Sequence, residues 1–100
     1  MPKIELQHRT SLLASQIKER AENLIQGAEK DFKGIITEVQ QHWEGNTLFF
    51  SFKAMGFSVS GEATAEDYLV VVKAKLPFAA VIFKGKIEAI FKEKAQELFP

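Results

Sequence analysis

Apolar and polar residues alternate with a period that changes along the chain, and each change marks a structural element. Residues 3–9 alternate, with Ile4 and Leu6 apolar, which predicts a short strand with one buried face. Thr10 or Ser11 is then expected to cap a helix that runs from Leu12 to about Lys33 and stops at Gly34. The apolar residues of this helix recur at three- and four-residue steps, as in an amphipathic stripe: Leu13, Ile17, Ala21, Leu24, Ala28 and Phe32.

Four further segments alternate with a period of two and are separated by turn residues. They cover residues 35–43, 47–55, 57–64 and 68–76, with breaks near Gly45, Gly56 and Asp67. In the first segment one side is expected to carry Ile35, Thr37, Val39, Gln41 and Trp43. Consecutive strands with short turns predict an antiparallel meander, and the opening strand is expected to join its edge. Pro77 ends the last strand and starts a helix predicted to run to Phe99.

These elements predict one α+β domain over residues 1–100. An antiparallel sheet of about five strands, in the chain order β-α-β-β-β-β-α, carries two helices on one face. Both faces of the last strand are apolar, so the sequence hardly constrains which of them faces the core. We assign Val70 and Val72 to the core rather than Leu69 and Val71. The predicted core contains Phe50, Phe52, Val70, Val72, Phe83, Ile87, Ile90 and Phe91.

The last helix has more apolar surface than one sheet can cover. Ala80, Phe83, Ile87, Ile90, Phe91 and Leu98 share one face at about 100° per residue. We define the contact patch as the four apolar residues on the other side of this helix: Phe78, Val81, Ile82 and Ala89. Burial inside the monomer, self-association as a homodimer, and contact with an acyl chain or hydrophobic particle all remain open for it.

Composition excludes several classes of partner. Thirteen basic residues balance thirteen acidic ones, which argues against electrostatic capture of nucleic acid or anionic lipid by overall charge. There is no cysteine, and the polar N-terminus lacks an apolar signal-peptide run, so we expect a cytoplasmic protein. The longest apolar run, FAAVIF, is much shorter than the roughly 20 residues of a transmembrane helix.

Residues with catalytic potential do not form a recognisable constellation. His8 and His42 lack partners at metal-ligand spacing and are expected to lie on strand surfaces. Ser58 and Ser60 stand outside any nucleophile-elbow motif, and the glycines form no phosphate-binding loop. The aromatic segment TLFFSF is not surrounded by the basic residues that an RNA-binding sheet has. We therefore predict no catalytic residue, no metal, no cofactor and no enzymatic activity.

The chain contains four motifs that form a recognisable combination: HRTSL before the first helix, HWEGNTLFFSF, GFSVSGEAT, and VVVKAKLPFAAVIFKGKIEAIFKEKAQELF. In this combination they resemble the polyhydroxyalkanoic acid system family of small bacterial proteins. The resemblance covers nearly the whole chain, and the chain departs from it in a longer first helix and loop, IQGAEKDFKGIITEVQQ. Because of this departure, the resemblance does not fix the register of the strand that follows.

The resemblance implies a role in producing, packaging or regulating polyhydroxyalkanoate granules, and it supplies no catalytic residues. It favours a non-enzymatic accessory protein that acts by hydrophobic contact with a granule surface, with granule proteins or with a second copy of itself. The alternative is a small-ligand module that holds an acyl or other apolar molecule between the sheet and the last helix. A dimerising module without a ligand is the third hypothesis.

Overall fold

The structure is a computed structural model that describes residues 3–31, 33–54 and 56–100. Within the first helix, the side chains of residues 23–29 and of residue 31 are outside this description. The elements are β1 (Lys3–Arg9), α1 (Ala14–Asp31), β2 (Ile36–Glu44), β3 (Thr47–Ala54), β4 (Phe57–Glu66), β5 (Leu69–Lys75), a 3-10 helix (Phe78–Phe83) and α2 (Lys84–Leu98). The predicted α+β class and the order β-α-β-β-β-β-α are confirmed.

All five strands form one antiparallel sheet in the order β1-β5-β4-β3-β2. Consecutive strands from β2 to β5 form the predicted meander, and β1 joins its edge beside β5. Gly45 and Gly56 take positive φ values of 60° and 83° in the turns, where a side chain would be strained. Tyr68 takes a positive φ of 69° in the turn between β4 and β5.

One face of the sheet carries both helices, with α2 over β1 and α1 over β4 and β2. Val70 on β5 is 5% exposed and packs with Ala65 on β4 and Ile17 on α1, and Val72 packs against the same cluster. The choice of Val70 and Val72 for the core is therefore correct. The complete first cluster is Leu12, Ile17, Ala65, Val70, Ala95 and Phe99, and a second cluster is Ile4, Ala74, Leu76 and Ala80.

The start of α1 differs from the prediction. Gln16 and Asp67 accept hydrogen bonds from the backbone N–H groups of Leu13 and Ala14, each at 2.9 Å. The hydroxyl groups of Thr10 and Ser11 donate to the Pro100 carbonyl. The Thr10 hydroxyl also accepts from the Leu12 N–H at 3.2 Å, two residues before α1 begins. The nearby turn between β4 and β5 thus supplies an acceptor that the local sequence does not reveal.

The predicted stripe of α1 is only partly described. Ile17 is fully buried and Ala21 is half-buried, whereas Leu13 is 44% exposed because Leu12 occupies the core there. The side chains of Leu24 and Ala28, and Phe32 as a whole, lie outside the described residues.

The alternation predicted for β2 is interrupted by a bulge. The pairing with β3 shifts between Thr37 and Gln40, and Glu38 takes a φ of 54°. A bulge adds one residue to a strand and reverses the faces on its two sides. As a result, Ile36 and Val39 are half-buried while Thr37 is exposed, contrary to the simple alternation.

The predicted last helix is two helices with different periods. A 3-10 helix covers Phe78–Phe83, and α2 begins at Lys84. The assignment of Phe83 and Ile90 to the core is wrong, since their side chains are 44% and 49% exposed. Ile87 and Phe91 are half-buried against the two clusters, and Phe50 and Phe52 are half-buried on the same face of the sheet.

Candidate functional site

The contact patch begins in a segment anchored by two buried residues. Leu76 is 3% exposed at the end of β5, and Ala80 is 5% exposed inside the 3-10 helix. Between them, Pro77 is extended and its carbonyl accepts a hydrogen bond from the Ala80 N–H at 2.9 Å. Both anchors pack with Ile4 and Ala74 in the second core cluster. The backbone below the patch is therefore held against the sheet.

A 3-10 helix has three residues per turn, so its side chains lie along three edges. Ala80 faces the sheet, whereas Phe83 at the end of the same edge is 44% exposed. The edge of Ala79 and Ile82 is exposed. The remaining edge contains Phe78, which is exposed, and Val81, which is half-buried. Because only one edge can contact the sheet, the sequence FAAVIF leaves apolar side chains in water.

Exposure within the contact patch is uneven. Phe78 and Ile82 are 80% and 81% exposed, the highest values among the large apolar side chains that the structure describes as exposed. Ala89 is exposed on the outer side of α2, and Val81 is partly covered. Phe78 and Ile82 are therefore the residues of the patch with the most apolar surface available for contact.

Phe83 and Ile90 are also exposed, at 44% and 49%, although the periodicity of the sequence assigned them to the core. Among the described residues, seven large apolar side chains are exposed, and four of them lie between residues 78 and 90. The sequence contained a signal that Ile90 is exposed and Phe91 is half-buried. Steps of four and seven residues from Ile90 reach Lys94 and Glu97, an exposed ion pair, whereas the same steps from Phe91 reach Ala95 and Leu98.

The two histidines lie far apart in the sheet and have different surroundings. His8 on β1 faces the helices, is partly buried, and donates from Nε2 to the Phe99 carbonyl at 2.7 Å. Nε2 must carry the proton, because a carbonyl oxygen only accepts. His42 is exposed on β2 and stacks on Phe49, with 5.1 Å between ring centroids. The expectation of a strand surface is therefore correct for His42 and wrong for His8.

Two depressions lie along the sheet. One, of about 140 Å³, is on the face opposite to the helices and is bordered by Glu62, Thr64, Glu66, Val71 and Lys73. The other, of about 510 Å³, lies at the β2 bulge beside the Lys53–Glu38 ion pair, Ser58 and Ser60, and is also lined by Val39, Phe52 and Val59. Neither depression lies between the sheet and α2, where the alternative hypothesis requires an apolar cavity.

Within the described residues, no three His, Cys, Asp or Glu side chains are grouped closely enough to hold a metal ion. The same part of the chain also contains no helix of the length and apolar character needed to cross a membrane.

Comparison with known proteins identifies the chain. The family model of the polyhydroxyalkanoic acid system protein, which is named for the granule region, matches residues 3–99. The match includes both helices, all five strands and the whole contact patch. No curated protein matches the sequence. Because the family model covers nearly the whole chain, this protein belongs to the polyhydroxyalkanoic acid system protein family.

Proposed function

We propose that this protein is a non-enzymatic, cytoplasmic accessory of the polyhydroxyalkanoate storage system, which attaches to the polyester surface through its contact patch. Family membership supports a role in the polyhydroxyalkanoate system. The exposure of Phe78 and Ile82 is the observation that supports attachment by hydrophobic contact. These side chains stand on a segment anchored by Leu76 and Ala80, so attachment requires little ordering of the protein.

The energetics suit attachment to an extended apolar surface. Burying one large apolar side chain contributes about 1.5–3 kcal/mol. Two such side chains offset only part of the free energy lost when a molecule gives up its translational freedom. Individual contacts are therefore weak and reversible, and a particle retains the protein by offering many equivalent sites.

The positions of the histidines support a non-enzymatic role. The His8 ring is engaged with the Phe99 carbonyl, and the His42 ring stacks on Phe49 at the sheet surface. General acid–base catalysis requires a positioned group beside a substrate site, and neither histidine lines the two depressions described above.

Co-sedimentation with polyhydroxybutyrate particles tests the proposal. The double variant Phe78→Ser/Ile82→Ser should remain folded by circular dichroism and should lose most of the particle binding. Leu13→Ser is the matched control, because Leu13 is also an exposed apolar side chain but precedes α1 near the opposite end of the sheet. The control should bind as the parent protein does.

Retention of full particle binding by the double variant would contradict the proposal. Size-exclusion chromatography of the same proteins separates surface attachment from self-association. If the parent protein is a dimer that the two serines convert to a folded monomer, the patch is a subunit interface instead. If the parent protein binds only particles that already carry granule proteins, the partner is one of those proteins.

A further inference from the structure

Four lysines lie near the contact patch, either along the chain or across a strand pair. Lys75 is the last residue of β5, two residues before Pro77, and Lys3 lies directly opposite it on β1. Lys84 and Lys86 begin α2 immediately after the 3-10 helix. All four side chains are exposed. We refer to these residues, Lys3, Lys75, Lys84 and Lys86, as the basic end.

The basic end is not neutralised in the way that the next part of the sheet is. Lys73 lies between Glu5 on β1 and Glu62 on β4, so charges alternate across the three strands. One step further along the same face, Lys75 lies between Lys3 and Ser60. Like charges directly opposite each other destabilise a sheet, and this pair has no neighbouring carboxylate in its row.

The ion pairs lead to the same conclusion. Lys84 contacts Glu88 at a separation of 3.9 Å, and both side chains are well exposed, so the contact neutralises Lys84 weakly. Among the described residues, Lys3, Lys75 and Lys86 form no ion pair.

We infer that the basic end and the contact patch together bind a surface that carries anionic phospholipid headgroups. Lys84 and Lys86 follow the patch in the chain, whereas Lys3 and Lys75 stand on the sheet face opposite to the helices. The molecule therefore meets the surface with this end of the sheet: Phe78 and Ile82 enter the apolar layer, and the lysines contact phosphate groups at its boundary. The zero formal net charge of the chain does not oppose this, because attraction to a charged surface falls off within a Debye length and depends on the charges nearest to it. This inference rests on the contact patch of the proposed function and adds the chemistry of the surface.

An anionic lipid surface fits the arrangement better than a nucleic acid does. Exposed apolar side chains among lysines are typical of elements that lie in a membrane interface. Single-stranded nucleic acids instead require aromatic side chains along a basic groove. On the polar face of the sheet, acidic residues accompany the lysines, and the aromatic Phe49 is already stacked with His42.

Flotation with lipid vesicles tests the inference. The parent protein should bind vesicles of phosphatidylcholine mixed with phosphatidylglycerol more tightly than vesicles of phosphatidylcholine alone, and high salt should remove the difference. Each lysine near such a surface contributes roughly a fivefold factor. The variant Lys75→Glu/Lys86→Glu should therefore bind the anionic vesicles roughly 25-fold or more weakly. Lys75→Glu also places a carboxylate directly opposite Lys3. Because opposite charges stabilise a strand pair, the fold is expected to persist.

Arg9→Glu/Lys92→Glu is the matched control. It changes the net charge equally, but Arg9 ends β1 away from Lys3 and Lys92 lies beyond the first two turns of α2. This variant should retain the preference for anionic vesicles. Equal binding of the parent protein to both kinds of vesicle would overturn the inference, as would equal losses in the two variants. Salt-sensitive binding to a soluble polyanion, such as single-stranded DNA, at the same affinity would also overturn it.

The two proposals fail in different ways. If polyester particles bind the parent protein but the vesicles show no preference for anionic lipid, the attachment stands and the inference falls. If Phe78→Ser/Ile82→Ser leaves particle binding unchanged, the proposed function falls, and vesicle binding that is likewise unaffected overturns the role of the patch in the inference.

Discussion

Phe50 on β3 lies directly opposite Gly61 on β4, and the end of its ring occupies the space that a side chain at Gly61 would need. A Cβ atom at Gly61 would lie 2.9 Å from Phe50 Cζ and 2.9 Å from Ala74 Cα, and it would overlap the Lys73 carbonyl oxygen. Gly61 is therefore required by the close approach of backbone and ring, and not by a positive φ. This contact lets the ring of a large aromatic residue lie over the backbone of β4 at Gly61.

Gly61→Ala should lower the free energy of unfolding by about 1–3 kcal/mol, because backbone atoms cannot move aside as a flexible side chain can. Gly85→Ala is the matched control, since the residue is helical and nothing lies within 4 Å of the position that its new methyl group would take. That change should raise stability by about 0.4–1 kcal/mol. Urea denaturation followed by circular dichroism measures both, and an unchanged midpoint for Gly61→Ala would contradict the packing of Phe50.

Neighbouring residues on α2 should respond differently to truncation. Phe91 is half-buried against the first core cluster, so Phe91→Ala should cost about 2 kcal/mol or more. Ile90 is 49% exposed, and Ile90→Ala should cost less than about 1 kcal/mol. Thermal or urea unfolding of the two variants gives the comparison. A larger loss for Ile90→Ala would show that the opposite flank of α2 faces the sheet.

Val81 and Ile82 are adjacent in the chain but lie on different edges of the 3-10 helix. Ile82→Glu should change stability by no more than about 0.5 kcal/mol, because the side chain is 81% exposed. Val81→Glu should cost about 1–3 kcal/mol, because a carboxylate would be partly removed from water there. Equal effects in differential scanning calorimetry would mean that the segment does not keep its three-residue period.

His8 on β1 is hydrogen-bonded to the backbone near the end of the chain. His8→Phe removes the donor to the Phe99 carbonyl and should cost about 0.5–1.5 kcal/mol. His42→Phe is the control, since His42 is exposed and its stacking on Phe49 survives the change to another aromatic ring. Urea titrations of the two variants should therefore differ, and an indistinguishable pair would exclude a stabilising role for the hydrogen bond.

The sequence by itself determined the order of the elements and the family. Periodicity is a local property, so the alternation in residues 3–9 and the turn glycines Gly45 and Gly56 were enough to place strands and turns. The surplus of apolar residues in FAAVIF was also visible, because one sheet covers only one side of a helix. The local pattern therefore singled out Phe78 and Ile82, but it left open whether they are buried inside the monomer or exposed.

Only the tertiary structure decided which side chains are buried between packed elements of the chain. Ile90 and Phe91 are equally apolar, and the neighbours at steps of four and seven residues favour burial of Phe91. How much of each side chain is buried depends on where α2 lies over β1, an element far away in the chain. The β2 bulge at Glu38, the acceptor that Asp67 gives to α1, and the facing lysines Lys3 and Lys75 likewise depend on pairing between distant segments. Net charge and periodicity contain no information about such pairings, because they are properties of single segments and not of the contacts between them.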